Sequence, residues 1–315
     1  MISVVIPSYN RRDCILRLLT DLRAQQGVEF EVIVVDDCSS DDTIHTLQRE
    51  FPGVTLLINE RNGGPCVSRN RGVLAAKGEI IVGFDSDVSV PDTGLLAKVA
   101  LAFAEAPAAT GFAFRIFEPD GVTDDAPRWW HPLPVGTAKD CAFETDYFSG
   151  TGYAFRRESM ILAGLYPEIL YMHYEEVELA WRILDRGGSI RYQPDLTVLH
   201  HANPVSRRSE IKVFYKPRNQ FLLALRCMPL GRGLGFLLPR LAYGLFQALR
   251  HRALGDWWRA MLSARELAPR CLADRKALYR STWNRISAMK RQSGGAFPDT
   301  ESFGKLAPVA TTIAE

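Results

Sequence analysis

The chain contains no cysteine pair at a metal-ligating spacing. Its six cysteines, at 14, 38, 66, 141, 227 and 271, never form C-x-x-C. A zinc ribbon and a dithiol redox motif are thereby excluded, and the thiols read as free in a reducing compartment. There is no G-x-G-x-x-G and no P-loop, which removes the usual dinucleotide and ATP phosphate cradles. The most apolar stretch, 233–249, is interrupted by Pro239 and Arg240. It falls short of the roughly 18–20 uninterrupted apolar residues of a membrane span. No repeat of about 20–50 residues is visible. No basic leader with an apolar core precedes Ile2-Ser3-Val4-Val5-Ile6-Pro7, so no signal peptide is expected.

What is present is enough chain for one large domain, or one domain with an appendage: 315 residues, 47% of them hydrophobic. Val- and Ile-rich runs at 2–6, 30–36, 54–58 and 79–85 alternate with helix-like segments at 12–25, 41–51, 65–77 and 92–105. Uninterrupted apolar strands between helices predict an α/β fold, a parallel sheet covered on both faces. Ser40, or an aspartate just after it, is placed to cap the second helix, and Pro65 to open the third. Further strand-like pieces lie near 111–117, 152–156, 189–192 and 196–200, and a loop covers 119–141. A helix is predicted from Glu175 to about Arg186, stopped by Gly187-Gly188. From 209 the chain reads as helical, with breaks at Pro217, Pro229, Pro239 and Pro269. After Gln292 the composition predicts a disordered tail.

The net charge of +2 conceals a split. Residues 205–291 carry 19 Lys and Arg against 4 Asp and Glu, a balance of +15, which leaves −13 on the rest. An acidic body with a basic appendage suggests contact with an anionic surface.

Open α/β sheets bind ligands at the carboxyl ends of their strands. Those ends here are Pro7-Ser8-Tyr9-Asn10, Asp36-Asp37-Cys38-Ser39, Asn59 and Asp85-Ser86-Asp87. In extended chain, Asp85 and Asp87 point the same way. Two carboxylates at a strand tip suit a hard divalent cation that keeps substrate phosphates as its other partners. For Asp36 the expectation is an Asx turn. Arg69 and Arg71, two apart, do not share a helical face, so one of them is expected to be merely solvated. Glu175, Glu176 and Glu178 open a helix, where acidic residues also complement the dipole. His200 and His201 are adjacent on a strand, so at most one faces a site. Trp129 and Trp130 either pack in the core or stack on pyranose rings; both readings stay open.

The string Val5-Ile6-Pro7-Ser8-Tyr9-Asn10-Arg11, then Val35-Asp36-Asp37-Cys38-Ser39-Ser40-Asp41, resembles the opening of the family 2 glycosyltransferases of GT-A fold. Asn62-Gly63-Gly64-Pro65 with Ser68-Arg69-Asn70-Arg71-Gly72, the DxD element Asp85-Ser86-Asp87, the run Gly150 to Glu158, Glu175 to Arg182 and the His200-His201 pair follow in the family's order. The likeness covers about 2–206. The region after 209 resembles the helical tail of bacterial rhamnosyltransferase-like members.

The resemblance implies a GT-A catalytic domain at 1–206, with a nucleotide-binding half at about 1–90 and an acceptor half at about 91–206. A basic helical appendage at 207–291 and the tail at 292–315 follow. It implies a metal-dependent, inverting transfer from a nucleotide-sugar to a glycan or lipid-linked acceptor by direct displacement. Pro7, Ser8, Tyr9, Asp37, Arg69 and Asp85 would contact the donor nucleotide. Asp85, Asp87 and either His200 or His201 would hold Mg²⁺ or Mn²⁺. Glu176 stands where the family usually has the aspartate general base, with Glu175 as the alternative. Gly150, Thr151 and Gly152, with Trp129 and Trp130, would meet the acceptor. The basic helices point to peripheral attachment at the cytoplasmic face of an anionic membrane. Two rival readings are a nucleic-acid-binding protein and a catalytically silent GT-A scaffold. The first leaves the acidic strand ends unexplained, and the second would be expected to show a broken DxD element or a missing base.

Overall fold

Alternation along the first strand divides the molecule into two cores. Ile2, Val4 and Ile6 pack to one side and Val5 to the other, as a strand with both faces covered requires. The computed structural model describes residues 1–201 and 209–291. In chain order its elements are β1 (Ile2–Ser8), α1 (Arg12–Arg23), β2 (Phe30–Asp36), α2 (Thr43–Glu50), β3 (Thr55–Ile58), α3 (Gly64–Ala75), β4 (Ile80–Phe84), β5 (Val88–Ser89) and α4 (Leu95–Glu105). There follow β6 (Gly111–Phe117), α5 (Val135–Ala138), β7 (Phe143–Glu144), β8 (Gly152–Arg156), α6 (Arg157–Leu162), α7 (Glu175–Asp185) and β9 (Ile190–His200). The described chain closes with α8 (Ser209–Cys227), α9 (Leu230–Arg250), α10 (Leu254–Ala273) and α11 (Arg280–Arg291).

One sheet runs β3-β2-β1-β4-β8-β6-β9-β5, with β7 added on β9. β3, β2, β1 and β4 are mutually parallel. β8 is antiparallel to both β4 and β6, and β6 is parallel to β9. The chain steps outward from β1 to β2 and β3, then returns to the far side of β1 as β4. This reversal puts a crevice at the carboxyl ends of β1, β2 and β4. Gly83 in β4 is needed for the packing there, since a Cβ would lie 2.0 Å from the Tyr153 ring.

The expected elements up to β4 lie within a few residues of those observed. Two expectations need correction. The strand pieces near 189–192 and 196–200 are one strand, β9, whose register against β6 shifts between Phe114 and Arg115 and so absorbs Pro194. Pro217, Pro239 and Pro269 lie inside α8, α9 and α10 rather than breaking them; only Pro229 marks an end, before α9. Pro239 and Pro269 are exposed, so water can take the carbonyl each leaves unpaired. Pro217 is buried, and packing overrides its local cost. The expected tail at 292–315 and the domain boundary at 206/207 lie outside the described residues.

The C-terminal helices are not a separate body. Leu222, Leu223, Cys227, Leu237, Cys271, Trp283 and Ile286 belong to the same hydrophobic cluster as Val5, Cys66, Tyr153 and Trp181. Arg226 of α8 clasps Glu178 of α7 with Nε at 2.9 and 3.0 Å from the two carboxylate oxygens.

Candidate active site

The turn after β2 is built by its aspartates. Asp36 Oδ1 accepts the Ser39 N–H at 2.8 Å, the expected Asx turn. Asp37 is buried and accepts from Asn59 Nδ2 at 2.7 Å, Gly63 N at 3.0 Å and Gly64 N at 2.8 Å. It therefore ties the β2 end to the start of α3, and its carboxylate is largely occupied by the chain itself. Gly64 takes φ +83°, and a Cβ there would meet the Tyr171 ring at 2.5 Å. That ring stacks on Tyr215 of α8 at 5.3 Å. Near this turn Ser8 is buried with its Oγ lacking a protein partner, while Tyr9 is exposed. The adjoining Asn10 Oδ1 accepts the Ser40 N–H at 2.8 Å.

Arg69 organises the centre. It is 3% exposed, with Nη2 at 2.6 Å from Asp85 Oδ1 and Nη1 at 3.3 Å from Glu175 Oε1 and 3.8 Å from Glu176 Oε1. The burial that disfavours its charge is outweighed by Asp85, Tyr166 and both glutamates, so the guanidinium stays charged. Arg69, expected to face a donor diphosphate, has both terminal nitrogens on the chain's own carboxylates. Arg71 is exposed and donates to Ile58 O and Asn59 Oδ1.

The glycine of Gly150-Thr151 is dictated by the same arginine, since a Cβ at 150 would lie 2.2 Å from Arg69 Nη2. Gly150 N donates to Glu176 Oε1 at 3.3 Å, and Thr151 Oγ1 to Asp85 Oδ2 at 3.2 Å. Gly152, in contrast, is buried in β8 against Phe114 and Val198.

The two glutamates at the start of α7 differ by burial. Glu175 is 3% exposed and has one oxygen, Oε2, without a partner. Burial, then the charge of Glu176, holds its carboxyl well above the usual carboxylate range, against the pull of Arg69. The Glu176 side chain retains 16% exposure. The preceding segment is strained: Tyr171, His173 and Tyr174 all have φ between +64° and +72°. Asn219 of α8 secures it, donating Nδ2 to Leu170 O at 2.8 Å, Met172 O at 2.6 Å and His173 O at 2.8 Å.

At the β4 tip, burial would raise the Asp85 carboxyl, but Arg69 and then His200 bring it below its ordinary value. Asp87 moves the other way, raised by burial and by the charge of Asp85. His200 Nε2 lies 3.7 Å from Asp87 Oδ1, and its Nδ1 is 2.6 Å from Asp125 Oδ2. His200, not His201, thus turns to the acidic cluster. His201 Nε2 pairs with Ser89 Oγ at 2.8 Å. Asp125 escaped sequence reasoning because it sits in the irregular 119–141 loop, which offers no periodicity; its one local signal is adjacency to Asp124.

The donor set of Asp85, Asp87 and His200 suits a hard divalent ion, and a cation there would relieve the repulsion that raises Asp87. Among the described residues no group of three His, Cys, Asp or Glu forms a ready metal cage.

The tryptophans part company. Trp129 is half-buried; it joins His131, Phe143 and Tyr192 in an aromatic cluster and donates Nε1 to Leu133 O at 2.6 Å. Trp130 stacks on Tyr147 at 5.7 Å, close to α7.

Comparison with known proteins adds the family. The family model described as glycosyl transferase family 2 matches residues 3–162. An uncharacterized glycosyltransferase of Haemophilus influenzae is 41% identical over 87 residues, 28% of this chain and 29% of that protein. The succinoglycan biosynthesis protein ExoO of Rhizobium meliloti is 43% identical over 93 residues, 29% of this chain and 27% of that protein. Each alignment thus spans less than a third of the relative's own length. Among solved structures, the mannosyltransferase PcManGT of Pyrobaculum calidifontis in complex with GDP-Man and Mn²⁺ superposes with a TM-score of 0.55 at 20% identity. That match covers 93% of this chain and 85% of that one. Staphylococcus aureus TarS gives a TM-score of 0.56 at 20% identity, covering 92% and 55%. These likenesses establish the GT-A fold.

Proposed function

The chain belongs to glycosyl transferase family 2, and from that premise we propose that it moves a hexosyl or deoxyhexosyl unit from a nucleoside-diphosphate sugar to an acceptor hydroxyl, inverting the anomeric carbon. The observation that carries this reading is the pairing of Glu176, half-open and held by the Gly150 N–H, with the Asp85/Asp87 strand tip across Arg69. Glu176 takes the proton of the acceptor hydroxyl as that oxygen forms its bond to the anomeric carbon. The bond from that carbon to the diphosphate oxygen breaks, and its electron pair leaves with the nucleotide. No covalent sugar–enzyme intermediate is needed. Glu175, buried and held toward its neutral form, is the poorer base.

Asp85, Asp87 and His200 would hold Mg²⁺ or Mn²⁺. Such an ion, when bound, neutralises charge that develops on the departing diphosphate. Asp125 orients His200 from behind, the usual arrangement for a ligating imidazole. Pro7, Ser8, Tyr9 and the remaining acceptor capacity of Asp37 serve the nucleotide base. The likeness to PcManGT, solved with GDP-Man and Mn²⁺, and to TarS supports a nucleotide-sugar donor here.

The domain assignment follows the same reading: a catalytic body over 1–206, nucleotide half about 1–90 and acceptor half about 91–206, and helices over 207–291. The helices dock the protein on the cytoplasmic face of an anionic membrane, near a glycan or lipid-linked acceptor. Leu234, Leu238, Phe246 and Leu249 of α9 and Trp258 and Leu262 of α10 are exposed, with exposed Arg232, Arg250, Arg259 and Arg265 beside them. Charge complementarity and this apolar stripe fit an interfacial helix pair. No helix among the described residues is long and apolar enough to cross a membrane.

The deciding experiment is a panel of nucleotide-sugars with and without Mn²⁺, read by nucleotide release and by calorimetry. Saturable, Mn²⁺-dependent turnover of at least one donor is expected. Absence of both binding and turnover across the panel would remove the reading.

A further inference from the structure

A cavity of about 270 Å³ lies between α7, α9 and α11, beside the carboxylate cluster rather than within it. Its walls are aromatic: Trp130, Tyr147, Tyr174, Trp181, Phe236 and Trp283. It borders the proposed base, because Val177 lines it immediately after Glu176. The Tyr147 hydroxyl, pushed up by burial and next by the charge of Glu176, shows the two sites to be electrostatic neighbours.

Two polar groups in the lining lack a hydrogen-bond partner among the described residues. Asp146 is 3% exposed, and its Oδ1 accepts nothing; Trp283 is 6% exposed, and its Nε1–H donates to nothing. Asp146 Oδ2 is used, receiving Trp181 Nε1 at 3.1 Å and facing Lys290 Nζ at 3.1 Å. One open acceptor and one open donor inside an aromatic box call for a ligand that offers both a hydroxyl and an oxygen lone pair. A pyranose ring has those on its edge and C–H faces for the aromatic walls. A hydrocarbon chain would leave both groups unsatisfied and is disfavoured. The volume is at the small end for ligand pockets, which suits one ring.

We propose that this cavity is a carbohydrate subsite holding one sugar ring of the acceptor, beyond the residue that receives the transfer. The word acceptor rests on the glycosyl-transfer reading above; the binding of a sugar ring does not. Arg232 and Arg240 at the α9 wall add positive charge on that side and favour acidic sugars over neutral ones.

Gly235 provides the test. It lines the cavity on α9, and a Cβ there meets nothing within 4 Å. Gly235→Trp therefore plugs the space while improving helix propensity. Methyl glycosides of hexoses, N-acetylhexosamines and hexuronic acids are titrated calorimetrically into the full chain without donor. At least one class should bind saturably at millimolar concentration, with affinity reduced at least tenfold in Gly235→Trp and several-fold in Trp283→Phe, which keeps the ring and removes the N–H. Absence of saturable binding by every glycoside, or equal affinity in wild type and Gly235→Trp, overturns the proposal. So does geranyl phosphate binding that Gly235→Trp blocks and glycosides do not displace. Glycoside binding that Gly235→Trp abolishes, in a protein that binds no nucleoside diphosphate with Mn²⁺, upholds the subsite and removes the glycosyl-transfer reading instead.

Discussion

At the scale of single residues, two adjacent carboxylates acquire different chemistry from their surroundings. Glu176→Gln is expected to keep nucleotide affinity and lose transfer by about 10²–10⁴-fold, the usual worth of a general base. Normal turnover by this variant would reject Glu176 as the base. Glu175 is raised by burial and by the charge of Glu176, so it holds its proton more tightly folded than unfolded. Its full contribution is present below the ordinary carboxylate value of 4.5 and is lost as pH climbs through the higher folded value. Glu175→Gln should therefore lose less stability than wild type as pH rises above 4.5, measured as urea midpoints. Parallel pH profiles would contradict this. Asp87→Asn should abolish Mn²⁺-dependent nucleotide binding with the fold intact. Calorimetric affinity for nucleotide plus Mn²⁺ equal to wild type would remove Asp87 from the metal site. Which residues gather at the sheet's carboxyl edge was legible where a motif at a strand end named them, as with Asp85 and Asp87. What each one touches was not. The Arg69–Glu175 contact joins positions 106 apart, and Asp125 meets His200 across 75; no local pattern encodes such pairings.

At the scale of elements, the apolar runs of β1, β2 and β4 announced themselves because both faces of a parallel strand must be buried. The prolines misled for the opposite reason: the local rule is real, but tertiary packing decides. Pro239 is exposed inside α9, where a proline costs roughly 3 kcal/mol relative to alanine. Pro239→Ala should accordingly raise the urea midpoint, by up to that amount; a fall would mean that the proline fits a local geometry the helix needs. The left-handed segment at Tyr171–Tyr174 is the more consequential element, because it launches α7 and with it both glutamates. Asn219 of α8 holds two of its carbonyls, those of Met172 and His173, and that of Leu170 just before it. As a positioning residue it should affect turnover more than nucleotide affinity. Asn219→Ala should cost about 1–3 kcal/mol of stability and lower kcat, with the nucleotide Kd little changed. An equal loss in both would place its role in the donor site instead.

At the scale of the whole molecule, the +15 balance of residues 205–291 overstates the charge offered to a partner. Arg226 is spent on Glu178, Arg285 on Glu144 and Lys290 on Asp146, and these bonds fasten the helices to the acidic body. Exposed Arg232, Arg250, Arg259 and Arg265 lie on the helices that carry the exposed stripe of α9 and α10, and it is these that would meet a membrane. Each basic side chain near an anionic surface contributes about 1 kcal/mol, over a screening distance of roughly 10 Å at 0.1 M salt. Because α8 and α11 share the hydrophobic core with the catalytic body and α8 supplies the Arg226 partner of buried Glu178, removing the helices would expose that core and unfold the protein. Surface substitutions are the usable probe. Flotation with anionic vesicles should show binding at low salt, weaker binding at high salt, and marked loss for the double variant Leu238→Ser, Phe246→Ser. Neutral vesicles should bind poorly throughout. Circular dichroism of the double variant should match wild type, since both side chains face solvent, with 64% and 56% of their surfaces exposed. Failure of the wild-type chain to float with anionic vesicles at low salt would remove the membrane from this account. The proposed Glu176 chemistry would stand unaltered, because it rests on α7, β4, Arg69 and the Gly150 N–H, not on the exposed faces of α9 and α10.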